Sequence, residues 1–206
     1  PALGELLVMN WRVAKVTRRQ RAMLEYAHKL TVSPAETGEA DRKALRRAGV
    51  FGAPVLVIGE GPGADEDAQG KPFVGRAGQL LDKMLAAIGV SRTSNALISN
   101  CVYWRPPGNR NPAPEELLVC RPFVERLIAL SQPKLLLLVG GVSGQFLTGS
   151  SEGVTRLRGR RQSLGFKGLT KPVNAMVMLH PAYLLRQPAQ KRLAWAGILV
   201  LVGLIF

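Results

Sequence analysis

The sequence predicts a three-layer α/β/α domain built on a central, mostly parallel four-stranded sheet. Three observations carry this. Short runs such as Val55-Leu56-Val57-Ile58 and Leu135-Leu136-Leu137-Leu138 are apolar at every position, as strands covered on both faces must be. Segments with helical spacing alternate with these runs. The connections between runs are long enough to be crossovers, which parallel strands require.

Taken in order, residues 1–50 read as an N-terminal extension and 51–206 as the domain. In the extension Arg12, Lys15, Arg18, Arg19 and Arg21 alternate with apolar residues and suit a basic helix, which Ser33-Pro34 interrupts before a second helical patch at Ala40–Ala48. The first strand, Val55–Gly59, leads into a long glycine-rich loop and then a helix over Gly75–Ile88, with Leu81, Met84, Leu85 and Ile88 on one stripe. A second strand spans Ala96–Val102. The helix Pro114–Leu130 begins with proline in its first turn and Glu115 and Glu116 beside it, where carboxylates favour the positive helix end. Leu135–Gly140 is the third strand, Gly141–Leu147 a short helix, Val173–Leu179 the fourth strand, and a last helix starts near Pro188. The apolar tail from Gly197 to Phe206 is shorter than the roughly twenty residues of a bilayer span, so it is expected to be a buried helix and no membrane partner is expected.

The net charge of +14 excludes an ordinary neutral metabolite enzyme and points to a polyanion. Arg156, Arg158, Arg160, Arg161, Lys167, Lys171, Arg186, Lys191 and Arg192 crowd the last third, where no carboxylate follows Glu152. An acidic loop, Asp65-Glu66-Asp67, lies well apart from them. The pattern reads as a basic track leading to a chemical site. The two cysteines, Cys101 and Cys120, form no disulfide framework and no C-x-x-C, so a reducing cytoplasm is expected. A monomer is also expected.

Four loops leave the carboxyl ends of the four strands, the edge where open α/β sheets bind ligands. The first runs from Gly59 to Gly75 and carries Phe73 as an apolar wall among flexible neighbours. Its Gly59-x-Gly61-x-x-Ala64 spacing is a poor dinucleotide fingerprint, because Pro62 removes an amide and three carboxylates follow. The second holds Asn100, whose amide both donates and accepts and so suits the polar edge of a base. The third, Gly140 to Gly144, places Ser143 at a helix start suited to a DNA phosphate. The fourth, His180 to Arg186, sets a histidine before Tyr183-Leu184-Leu185-Arg186. Two leucines between cationic groups suit a wedge into a base stack, or else they begin the core stripe of the last helix. His180 itself serves either as a structural cap or as a functional donor.

Together, Gly59-Glu60-Gly61-Pro62-Gly63 with its acidic run, Gly70-Lys71-Pro72-Phe73-Val74-Gly75-Arg76-Ala77-Gly78-Gln79-Leu80-Leu81, Arg105-Pro106-Pro107-Gly108-Asn109-Arg110 and His180-Pro181-Ala182-Tyr183-Leu184-Leu185 resemble the family 4 uracil-DNA glycosylases over about residues 53–195. The resemblance implies hydrolysis of the N-glycosidic bond of deoxyuridine in DNA by base flipping. Phe73 would stack on the extruded uracil, Asn100 would bond its N3–H and O4, and His180 would donate to O2. Glu60, Gly61 and Glu66 would line the pocket, with Glu66 held against Asn109. Tyr183, Leu184, Leu185, Arg186 and Ser143 would meet the DNA. The group that positions the water stays open among Glu60, Asp65, Glu66 and a dissociative route. A catalytically impaired, DNA-binding glycosylase fold is the alternative, and a nucleotide-dependent enzyme a third.

The family typically carries a 4Fe–4S cluster on four cysteines. Here the N-terminal pair is absent, Trp104 stands before Arg105-Pro106-Pro107 where the third would be, Cys101 lies three positions early, and Cys120 is the only match. No metal cofactor is therefore expected.

Overall fold

The computed structural model describes residues 54–205, with side chains to 198, together with Arg21 and Glu25. Arg21 and Glu25 are helical, and the rest of the two helices expected in the N-terminal extension lies outside the described residues.

Strand β1, Val55–Gly59, is buried along its whole length. It leads through the short helix α1, Ala64–Gln69, to α2, Arg76–Ala86. Strand β2, Ala96–Asn100, is followed by a single 3₁₀ turn at Pro107–Asn109 and then α3, Pro114–Ser131. Next come β3, Leu135–Val139; α4, Gly141–Thr148; α5, Val154–Leu157; β4, Arg161–Leu164; and β5, Val173–Met178. The chain closes with α6, Pro181–Arg186, and α7, Lys191–Ile205.

The sheet has five strands in the order β2-β1-β3-β5-β4, one more than the sequence reading gives. β1, β2, β3 and β5 are the four expected parallel strands, and β4 adds to β5 antiparallel at the edge. The extra strand, Arg161-Gln162-Ser163-Leu164, is half exposed and has no apolar run, so the pattern that marks a buried strand is missing from it.

Alternate residues of the parallel strands feed two cores. Val55, Val57, Leu135, Leu137, Met176 and Met178 pack with Leu81, Met84 and Leu85 of α2, Leu184 of α6 and Ala194 and Ile198 of α7. Leu56, Ile58, Leu136, Leu138, Ala175 and Val177 pack with Val124, Leu127 and Ile128 of α3, Leu147 of α4 and Leu157 of α5. Helices thus cover both faces, and this is why the strands read as unbroken apolar runs. No helix among the described residues is long and apolar enough to cross a membrane.

Because the four central strands are parallel, their carboxyl ends open onto one edge. The loops after β1, β2, β3 and β5 meet there.

Candidate active site

The floor of the site is set by register. Gly59 ends β1 directly beside Asn100, which ends β2. The Phe73 ring lies over Gly59 so closely that a Cβ there would stand 2.5 Å from Cε2 and Cζ of the ring and 2.6 Å from Asn100 Oδ1. The imidazole of His180 stacks against the Phe73 ring, with ring centroids 5.7 Å apart and the two planes inclined by 30°. Four sequence-distant residues, Gly59, Phe73, Asn100 and His180, thus form one cluster at the sheet edge.

Phe73 is buried, with 6% of its surface exposed, and so is Asn100. Asn100 Oδ1 is buried without a hydrogen-bond partner. An orphaned carbonyl of this kind is costly and is seldom left in a native fold without a function. A ligand that brings an N–H donor would match it.

His180 lies just past β5 and caps α6, its Nδ1 accepting the Ala182 N–H at 3.1 Å. That contact uses the lone pair of Nδ1 and leaves the proton of the neutral ring on Nε2. Burial is the main cause that lowers its pKa below the ordinary 6.5; Arg186 adds to the lowering, while Glu60 and Glu66 oppose it. The lowered pKa keeps the ring neutral at pH 7, with Nε2–H as a donor.

The depressed pKa also makes a stability prediction. As pH falls below about 6.5 the unfolded chain takes up a proton at His180 before the folded chain does, so stability declines on acidification. The decline should appear in urea unfolding between about pH 7 and 5 and be absent in His180→Asn, which retains an acceptor for Ala182. An equal slope in both proteins would rule this assignment out.

The glycine-rich loop is organised by Glu66. Its Oε1 accepts the N–H groups of Val74 at 2.8 Å and Gly75 at 2.9 Å, and its Oε2 that of Gly63 at 3.2 Å. The pairing of Glu66 with Asn109 is not found. Asn109 is exposed, and its Oδ1 accepts from Arg105 Nε at 2.7 Å. Backbone amides of its own loop already satisfy Glu66. Glu60 extends to the third loop, where its Oε1 accepts the Val142 N–H at 3.2 Å. It is the first charge opposing the lowered pKa of His180. Gly61 is half-buried in the same loop, its Cα side facing Pro106 and Pro112.

Two expected DNA contacts are placed differently. Ser143 is fully buried, with its hydroxyl 3.4 Å from the Gly140 carbonyl, and Glu60 already occupies the first turn of α4. It presents no hydroxyl to a phosphate. Leu184 is 1% exposed and belongs to the core with α2 and α7, because the phase of α6 turns it inward. The wedge reading is thereby reduced to Leu185, half-buried, between Tyr183 and the exposed Arg186. The rival reading of the leucines as core holds for Leu184.

The second loop is tied down by a polar network. Glu116 of α3 accepts from Trp104 Nε1 at 3.1 Å, from the Arg110 guanidinium at 2.6 Å and 3.1 Å, and from the Ala113 N–H at 2.7 Å. The Arg110 bond, then Ala113 and Trp104, hold its carboxyl at about 2. Cys101 and Cys120 are both buried free thiols. Burial pushes both pKa values up, which disfavours the thiolate a metal needs. Among the described residues no group of three or more His, Cys, Asp or Glu side chains is placed to hold a metal ion.

One residue that the sequence reading missed stands behind Phe73. Arg92, in the loop between α2 and β2, donates to the carbonyls of Pro72 and Phe73. A lone arginine between serine and threonine carries no pattern that would single it out.

The chain matches the family described as the Uracil DNA glycosylase superfamily over residues 47–198. It is 36% identical over 140 residues to the Type-4 uracil-DNA glycosylase of Archaeoglobus fulgidus, covering 66% of this chain and 69% of that protein. The Type-4 uracil-DNA glycosylase of Pyrobaculum aerophilum is 38% identical over 144 residues, covering 66% and 69%. That of Thermotoga maritima is 38% identical over 133 residues, covering 64% and 66%.

Proposed function

This chain belongs to the uracil DNA glycosylase superfamily, and we propose that it acts within it as a uracil-DNA glycosylase of base excision repair. The reaction releases uracil from DNA and leaves an abasic site. The observation that carries this reading is the orphaned Asn100 Oδ1, which lies with the Phe73 ring over Gly59. Uracil offers an N–H at N3 to that oxygen and a carbonyl at O4 to the Asn100 amide N–H. Cytosine offers an acceptor and a donor in the reverse places, so it leaves both groups mismatched.

In the proposed reaction the bond between C1′ and N1 breaks and its electron pair passes to the departing base, with charge building on O2. The neutral Nε2–H of His180 donates a hydrogen bond there. A fixed donor aimed at developing charge stabilises the transition state more than the ground state. Water adds to the oxocarbenium-like C1′ and gives up a proton, which the uracil anion finally takes. Among the three carboxylates considered, Glu60 is best supported as the group facing the water. Glu66 is consumed by three amides and Asp65 lies exposed beside Gly75. Tyr183, Leu185 and Arg186 are the groups proposed to meet the DNA, and Gly61 and Asn109 to line its approach. The protein is taken to work as a monomer in the cytoplasm.

The residues do not fit a 4Fe–4S cluster, and no step of the reading passes through one. The whole sequence holds two cysteines, both buried as thiols in the structure, and Trp104 donates to Glu116 at the place of a third. We propose that the Trp104–Glu116–Arg110 network fastens this loop without iron. Protein purified anaerobically should contain no stoichiometric iron and show no visible absorption band. A stoichiometric amount would refute the iron-free reading.

The test of the activity is alkaline cleavage of end-labelled oligonucleotides holding one uracil opposite guanine, opposite adenine or in single strands, with thymine and cytosine controls. Breaks at uracil alone are expected. A folded protein that binds these DNAs without breaking them would instead be the catalytically impaired binding module.

A further inference from the structure

Phe73 combines two features that conflict locally. Its backbone lies in the left-handed region, with φ of 55°, where a residue with a side chain rarely rests. Its ring is nevertheless buried in one place, over Gly59 and beside Asn100 and His180. Such a conformation persists only where its surroundings over-determine it.

The surroundings do so with charges of opposite sign on either side of the residue. Ahead of it, Arg92 Nη1 donates to the Pro72 carbonyl at 2.8 Å and Nη2 to the Phe73 carbonyl at 2.7 Å. Behind it, Glu66 Oε1 accepts the N–H groups of Val74 and Gly75. From below, α2 approaches so closely that a Cβ on Gly78 would collide with the Phe73 carbonyl. The guanidinium is itself oriented by Asp82 of α2, whose Oδ1 lies 2.8 Å from Nε and 2.8 Å from Nη2. One planar fork thus joins α2 to two consecutive carbonyls.

We infer that Arg92, oriented by Asp82, is a positioning residue for base recognition, which fixes the Phe73 ring where an extruded base must stack. The inference rests on the reading of Phe73 as the stacking wall of the uracil pocket. Without the fork, the Pro72 and Phe73 carbonyls lose charge-assisted bonds and the loop is free to leave the left-handed conformation, swinging the ring off Gly59. Lysine does not replace the fork, because an ammonium is a point charge without the planar pair of donors that spans both carbonyls. The Arg92–Asp82 pair is partly exposed, at 27% and 44%, so its worth lies in geometry rather than in ion-pair energy.

The experiment uses the full chain with 4-fluorophenylalanine at position 73 and two readouts: the ¹⁹F resonance of that ring, and single-turnover excision from a uracil-containing duplex. Arg92→Ala should broaden or shift the resonance and slow excision about 10- to 100-fold, with duplex affinity changed by less than about threefold. Arg92→Lys, which keeps the charge and safeguards folding, should show the same changes in smaller measure. Asp82→Asn retains an acceptor for Nε and should stay near wild type, while Asp82→Ala should not. In a Phe73→Ala background, Arg92→Ala should cost at most about twofold more, since the two act through one ring. An unchanged resonance in both Arg92 variants overturns the inference, as does a full-sized loss in the Phe73→Ala background. A wild-type protein that leaves uracil in place refutes the glycosylase reading instead, and the ¹⁹F comparison still decides whether Arg92 holds the ring.

Discussion

Replacing His180 with alanine is expected to slow single-turnover uracil excision about 10²- to 10³-fold, while duplex affinity changes by less than about threefold. The size follows from what is removed. The Nε2–H is held in a buried site, in one tautomer, by the Ala182 N–H on the other ring nitrogen. It needs no reorganisation when charge appears on the base, and such donors act mainly in the transition state. Alanine also removes the cap of α6, so His180→Asn is the informative companion. Asparagine supplies an acceptor to Ala182 but places no donor where Nε2 stood. Both variants should show the same loss in rate, and only alanine should lower Tm. Equal affinity and equal rates across wild type and variants would remove His180 from the chemistry.

The second large effect is expected at Gly59. Alanine there puts a methyl group 2.5 Å from the Phe73 ring and 2.6 Å from Asn100 Oδ1, well inside contact distance. Both groups proposed to recognise the base must move, and displacement of about 1 Å at a reacting site costs roughly 10²-fold. Overpacking should also cost about 1–3 kcal/mol of stability, visible as a fall in Tm. Phe73→Leu in the same chain removes the ring atoms that collide and should restore Tm but not excision. A Gly59→Ala protein that excises uracil at the wild-type rate would show that excision does not depend on where Phe73 and Asn100 sit over this glycine.

The same residues show how much could be read in advance. Apolar strands separated by helical segments gave the parallel order and the shared edge, because burial on both faces leaves an unmistakable composition. β4 escaped notice because an edge strand half open to solvent needs no such composition. Asn100, Phe73 and His180 were legible as candidates because an amide and an imidazole at strand ends, and a ring in a glycine-rich loop, are chemically conspicuous. Their partners were not. Glu66 was expected to reach Asn109, yet three backbone amides of its own loop satisfy it. Backbone amides carry no residue signature.

Orientation was equally hidden. Leu184 and Leu185 are the same residue in succession, yet the turn of α6 buries the first and leaves the second half-open. Ser143 sits at a helix start, as expected, but its hydroxyl points to a carbonyl in the interior. Arg92 looked like any surface arginine until the fold brought it against the carbonyls of Pro72 and Phe73.

By itself, then, the sequence determined the layers of the fold, the edge at which its loops converge, the basic character of its surface and the shortage of cysteine ligands. These follow from composition and periodicity, which act through local geometry and total charge. Only the tertiary structure decided which side chains gather at the sheet edge, which carboxylates backbone amides already hold, and what holds Phe73 in an unfavourable backbone region. Those depend on distances between residues far apart in the chain, and such distances exist only once the two cores have packed.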